Sequence, residues 1–316
     1  MVAIISAAEH FTRSGRVALV SLIAFSACTG TPAVDNARLE LVEHLVRAVP
    51  SGASLSGVSA PDSATFVAWG GADVYVLAAR QPTAATVLKA SRPVAVRLTR
   101  GDRLETIEAG EQVVGTYGPD GKRLHARKLS LPIEITGAVA IGDVWMIGGA
   151  DSSRYHVFSV APDGHRRPIQ QWAGDASARI APAMHLSPAG RDLLVTDMDA
   201  PYSVRRVNSN GRILASFSPA KDALPALGTR GDASHDRWVS LPAVYFGDGY
   251  LQTLADLTSD LRVVIAYDRH GNQRSAAQVH APIGFVGTTP DFRFLVASRG
   301  GAAPEFVLYR WRWSEH

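Results

Sequence analysis

Groups able to do chemistry are sparse in this chain, and their spacing limits what they can do. Its 316 residues hold one cysteine, Cys28, in "LIAFSACTG". A lone cysteine serves as a nucleophile, a ligand, a buried hydrophobe or an attachment point, and it excludes an internal disulfide framework or a multi-thiolate metal site. The ten histidines stand singly, with no pair at metal-ligand spacing. His185 falls on a predicted inner strand, and His44, His156 and His280 lie beside apolar residues on others, where structural hydrogen bonding is the expected role. Asp197 and Asp199, in "DMD", begin like a calcium loop. Tyr202 then stands where such a loop needs Gly and Asn208 where it needs a bidentate Glu, so both aspartates read as turn and strand-end groups. "GDGYLQ" at 247–252 is a hairpin turn, not a phosphate cradle. The sequence has no H-E-x-x-H, G-x-S-x-G or G-x-x-x-x-G-K-[ST].

The environment of Cys28 decides among its roles. Arg13 and Arg16 precede the apolar run Val17–Phe25, which is too short to span a membrane, and Ser26 and Ala27 follow. This resembles a bacterial lipoprotein signal, with Phe25 where Leu is usual. The resemblance implies acylation of the Cys28 Sγ and cleavage before it, with residues 1–27 as signal peptide and 28–37 as tether. A secreted protein cleaved nearby is the alternative. The implied address is the cell envelope, outside the cytoplasm, on a membrane through Cys28.

A formal net charge of +3 is slight, and along the sequence the basic residues are scattered without a dense Lys/Arg cluster. No nucleic-acid partner is expected. After residue 30 no apolar run approaches the roughly 20 residues that a membrane helix needs.

What must position these groups is a repeat. Six stretches pair two apolar runs around a tight turn, centred on Asp62, Asp102, Asp143, Gly190, Asp248 and Asp291, at intervals of 40, 41, 47, 58 and 43 residues. A second turn follows each of the first five by about 20 residues, as in "GPDGK", "APDGH", "NSNGR" and "DRHGN". One repeat is therefore four strands, A to D, which is a propeller blade. The sixth copy ends after "EFVLYRWRW" without a D strand. "RLELVEHLVRAV" at 38–49, which also has helix-like charge spacing, is predicted to supply it and so cover an otherwise unpaired edge.

The pattern, most closely "HLSPAGRDLLVTDMDAPYSVRRVNSNGRILASF", resembles six-bladed β-propellers of the NHL/TolB-like kind over residues 38–316. The expected fold is all-β, with six four-stranded blades. Some propellers of this kind are calcium-dependent lactonases or related hydrolases, which need several carboxylates converging at the starts of inner strands. Here those starts read "SRPVA", "LPIEI", "IAPAM", "LPAVY" and "APIGF", and only Glu134 qualifies. No metal or other cofactor is expected. Trp69, Trp145 and Trp172 are expected to pack between blades.

Function on a propeller is expected on the side carrying the B–C and D–A loops, which vary without disturbing the blades. An insertion between blades four and five, residues 218–242, carries Arg230, His235 and Asp236 and is longer than a connection requires. With Arg154 and Asp199 these form the candidate binding set. The reading is a monomeric binding module for a protein, peptide or glycan; the alternative is an extracytoplasmic hydrolase or lactonase with a channel site.

Overall fold

The computed structural model describes residues 38–49, 55–78, 85–99, 101–173, 183–220, 238–300 and 304–314. Cys28, the signal-like segment and residues 221–237, with Arg230, His235 and Asp236, lie outside them.

Alternating apolar residues and tight turns give 25 strands and no helix among the described residues, in six antiparallel sheets. Blade one is β2 (Gly57–Ser59), β3 (Thr65–Gly70), β4 (Asp73–Ala78) and β5 (Ala85–Lys89). Blade two is β6 (Pro93–Thr99), β7 (Arg103–Glu108), β8 (Val113–Tyr117) and β9 (Arg123–Lys128). Blade three is β10 (Glu134–Ile141), β11 (Val144–Ala150), β12 (Arg154–Val160) and β13 (Arg166–Ala173). Blade four is β14 (Met184–Ala189), β15 (Asp192–Asp197), β16 (Val204–Val207) and β17 (Ile213–Phe217). In blade five the inner strand is split into β18 (Trp238–Ser240) and β19 (Val244–Tyr245), both paired with β20 (Gly249–Asp256), outside which lie β21 (Leu261–Asp268) and β22 (Gln273–His280). Blade six is β23 (Ile283–Thr288), β24 (Leu295–Arg299), β25 (Glu305–Ser314) and, outermost, β1 (Arg38–Ala48).

The ring therefore closes as the sequence predicts. β1 runs antiparallel to β25 from Arg38↔Ser314 to Ala48↔Glu305, with a bulge between Glu43 and Leu45. Its helix-like charge spacing loses to the pairing on offer, because the free edge of β25 would otherwise stay open. Arg299 strengthens the closure by binding Glu43 at 2.5 Å and also Glu305.

Four C–D turns share one geometry. The N–H of Gly118, Ala161, Asn208 or Asp268 donates to the carbonyl four residues on, and a Gly in the third place beyond it donates back. That Gly (121, 164, 211 or 271) has φ between 75° and 92°, the left-handed region only Gly enters without strain. Each turn leaves a bulge in the flanking pair.

Blades adhere mainly through apolar layers. Trp69 packs with Leu104 and Tyr117 across blades one and two, and Trp145 with Ile107 and Val114 across two and three. Trp172 packs beside Met146, Tyr155 and Leu193 across three and four. Arginines add ties between blades. Arg97 spans 4.8 Å above Trp145 and donates to the Gly142 carbonyl at 2.9 Å. Arg127 donates to the Ala161 carbonyl at 3.1 Å, and Arg167 to the Ser209 carbonyl.

Candidate binding face

Strand B ends in a carboxylate, or is followed at once by one, in four successive blades: Glu108, Asp151, Asp197 and Asp256. Each fixes the start of the B–C face in its own way. Glu108 is fully buried, and a lone carboxylate there would be costly, so it gathers partners. Its Oε2 accepts the Ser91 N–H at 2.8 Å and lies 3.3 Å from Arg123 Nη2; its Oε1 accepts the hydroxyls of Thr106 at 2.9 Å and Tyr117 at 2.8 Å. Burial, then the bond to Glu108, pushes the Tyr117 phenol well above its ordinary value. Gly115 makes the cluster possible, since a Cβ there would come 2.2 Å from Glu108 Oε1.

Asp151 accepts the N–H groups of Ser153 at 2.7 Å and Arg154 at 2.8 Å, and its second oxygen accepts His156 Nε2 at 2.7 Å. Those amide bonds, then the imidazole, hold its carboxyl well below the usual range. His156 in turn borders a shallow open depression with Phe158, Pro168 and Gln170 on the outer strands of blade three. Asp197 takes Arg205 in a two-pronged pair at 2.6 and 2.8 Å. Asp256 accepts the Thr258 N–H and hydroxyl, each at 2.8 Å, and the Ser259 hydroxyl at 2.7 Å.

The seam between blades four and five differs from the others near the axis. Ser187 donates to the Ala243 carbonyl, and the Ala243 N–H donates to Thr196 Oγ1 at 3.1 Å. Gln252 donates to the Tyr202 carbonyl at 2.7 Å and accepts the Tyr267 hydroxyl at 2.9 Å. Tyr202, at φ 57°, is a bulky residue in the left-handed region, held between these blades with 3 % exposure. His185 meets the backbone of Ser240 here, while its Nε2 is shielded from solvent with no hydrogen-bond partner among the described residues. Burial lowers the imidazole to about 4, against the smaller upward effect of the Ser240 bond.

The structure places Arg154 at the start of β12 and Asp199 in the B–C turn of blade four, both exposed and on the same side of the disc. They do not bind each other. Among the described residues neither side chain has a partner; the backbone of each is engaged, Arg154 with Asp151 and the Asp199 carbonyl with the Tyr202 N–H at 2.8 Å. Glu134 is exposed and 3.5 Å from Arg92, an ion pair at the foot of β10. His44 stacks on Phe294 at 4.3 Å, and burial lowers its imidazole below the ordinary value. His280 is exposed at the end of β22. No group of three or more His, Cys, Asp or Glu side chains among the described residues is placed to hold a metal ion. The Glu108 cluster and the polar seam escape a reading of the sequence, because Ser91 and Arg123 lie 17 and 15 residues from Glu108 and Ala243 lies 56 from Ser187; the recurrent acid ending strand B is the signal that marks the face.

No protein-family model and no curated protein matches the chain. Solved structures do match in fold. A member of the DUF4221 family from Bacteroides vulgatus superposes with a TM-score of 0.60 at 8 % identity, over 89 % of this chain and 100 % of that one. A catalytically inactive virginiamycin B lyase from Staphylococcus aureus, with quinupristin, gives 0.50 at 11 %, over 86 % and 99 %. A chain of a nidogen/laminin complex gives 0.50 at 11 %, over 72 % and 80 %. At these identities the likeness is one of propeller fold.

Proposed function

We propose that this propeller is a binding module of the cell envelope, which engages a protein, peptide or glycan through its B–C and D–A face. One observation carries the reading. On that face the carboxylates ending strand B are consumed in building turns, whereas Arg154 and Asp199 project without a side-chain partner among the described residues. An exposed charge with no structural task is what a recognition surface offers. The described flanks of the insertion, the end of β17 and the start of β18, lie on the same face, and Arg230, His235 and Asp236 lie between them in the sequence, outside the described residues. Against the channel-hydrolase alternative stands the single acidic start of an inner strand among the described residues, Glu134, which is paired with Arg92.

The envelope address rests on the signal-like residues 13–28. The NHL/TolB-like kinship rests on the Thr196–Asp197 strand end and the Asn-Gly-Arg turn of blade four. Among the structures of like fold, one is a lyase with quinupristin and another belongs to a nidogen/laminin complex, so this fold occurs with a small molecule and in a protein complex. In the producing cell, a fatty-acid analogue is expected to label the wild-type chain and not Cys28→Ser; label persisting in the variant, or absent from wild type, contradicts the anchor. Capture from envelope fractions tests the face: partners retained by the wild type are expected to be lost by a chain lacking residues 221–237 and by Arg154→Ala/Asp199→Ala. Equal recovery by all three contradicts it.

A further inference from the structure

Basic residues that look scattered in the sequence are brought together by the fold. The C–D turns and outer strands of blades two, three and four, residues 118–128, 161–173 and 208–217, contain seven Lys or Arg and two Asp. That excess of five exceeds the net charge of +3 of the whole chain. The three segments form one continuous rim, because Arg127 reaches the turn of blade three at Ala161 and Arg167 the turn of blade four at Ser209 and Asn210. Bonds to carbonyl oxygens orient these guanidinium groups and leave their charge in place; Glu108 and Glu111 offset Arg123 alone.

Aliphatic side chains stand among the cations. Leu124 follows Lys122 and Arg123 and is 56 % exposed; Ile213 and Leu214 follow Arg212 and are 42 % and 47 % exposed. Three of the five exposed large hydrophobic residues among the described residues thus sit on this rim. Cations beside short aliphatic groups match a lipid surface, where phosphate headgroups overlie hydrocarbon. A nucleic acid would call instead for aromatic platforms, and the described residues of these segments supply only Trp172 and Phe217, both turned into packing. The A–B turns nearer the axis carry Asp102 beside Arg103, Asp143, Arg191 and Asp248, a mixture of both signs, so the excess of cations lies on the rim. The register Arg38↔Ser314 puts the start of β1 on the C–D side of the disc.

We infer that the outer rim of blades two to four docks on an anionic phospholipid bilayer, leaving the B–C and D–A face turned to its partner. The inference shares a membrane with the envelope reading, but it rests on the rim's own charge and does not need an acylated Cys28.

The test is cosedimentation of the full chain with phosphatidylcholine vesicles, with and without about 30 mol % phosphatidylglycerol, at low and high salt. Apolar insertion of residues 17–25 contributes equally to both vesicles, and any preference from the adjoining Arg13 and Arg16 is common to the wild type and the rim variant, so the difference between the two chains reports the rim. The wild type is expected to favour the anionic vesicles by tenfold or more and to lose this preference in high salt. Each cation removed is expected to cost about fivefold, so Lys122→Glu/Lys128→Glu/Arg212→Glu lowers the preference by about a hundredfold or to the level that Arg13 and Arg16 alone sustain. An unchanged thermal midpoint shows that this variant is folded; Lys→Gln and Arg→Gln changes at the same positions serve if it is not. Arg154→Glu, on the other face, is expected to keep the preference. Equal binding to both vesicles, a preference undiminished in the rim variant, or capture by soluble heparin with no vesicle binding would each overturn the inference. Cys28→Ser leaves the ratio unchanged, so loss of the anchor and loss of the rim contact are told apart.

Discussion

The two sides of this disc solve the same problem, ending a strand and starting the next, in opposite ways. On the C–D side, blades two to five use one turn: a reciprocal pair of backbone bonds with a left-handed glycine in a fixed place. On the B–C side the blades share a carboxylate and little else. Glu108 is buried among four partners, Asp151 ties down a short turn and a histidine, Asp197 grips an arginine, and Asp256 collects hydroxyls. Identical turns leave no room for individuality, whereas turns held by side chains can differ blade by blade. The varied side is the one that can acquire a partner without unbuilding the ring.

The strongest way to break this contrast is to remove a B–C anchor. Glu108→Ala strands the Ser91 N–H, two hydroxyls and Arg123, and is expected to cost about 3–5 kcal/mol, read from urea unfolding. An unaltered midpoint would mean that the acid does not hold the face together.

Next in size is His185 at the polar seam. Its folded-state value of about 4 lies below the ordinary 6.5, so above pH 6.5 both folded and unfolded states are neutral and nothing is lost. As pH falls from 6.5 to 4 the unfolded chain takes a proton that the folded chain refuses, and stability drops by about 2–3 kcal/mol. Below pH 4 the slope from this group ends. His185→Gln is expected to flatten that part of the stability profile; a profile of unchanged steepness would place the acid sensitivity elsewhere.

Glycines on the opposite side sharpen the comparison. Gly211→Ala combines a φ of 84° with a Cβ that would lie 2.1 Å from the Ile169 carbonyl, and is expected to cost about 2 kcal/mol or more. Gly142→Ala has a φ of 59° but open space around it, and is expected to cost about 1 kcal/mol. Equal thermal shifts for the pair would remove the role assigned to the close blade-three contact.

Much of the architecture was legible in the sequence because turns are local. Asp-Gly and Asn-Gly pairs announce left-handed backbone, and alternating residues announce strands, so the six repeats and the missing outer strand could be counted. The segment 38–48 was ambiguous by itself and was settled by the open edge of β25, a tertiary demand. The candidate face was legible only in part. Arg154 and Asp199 lie where the repeat places a B–C loop, yet the split inner strand of blade five and the Glu108 cluster depend on contacts between distant residues. The basic rim was invisible for the same reason: its cations are separated by up to 90 residues in the chain and become neighbours only when blades two to four stand side by side.

The smallest structural effect is expected at the two residues proposed for recognition. Arg154→Ala/Asp199→Ala is expected to change stability by no more than about 0.5 kcal/mol, since neither side chain has a structural partner among the described residues. The decisive measurement is therefore quantitative capture from envelope fractions by wild type, by this double variant and by the C–D rim variant Lys122→Glu/Lys128→Glu/Arg212→Glu, all checked for equal thermal midpoints. The account predicts that the double variant loses the partners held by the wild type and that the rim variant, in detergent, keeps them. Partners kept by the double variant and lost by the rim variant would contradict the assignment of the binding face.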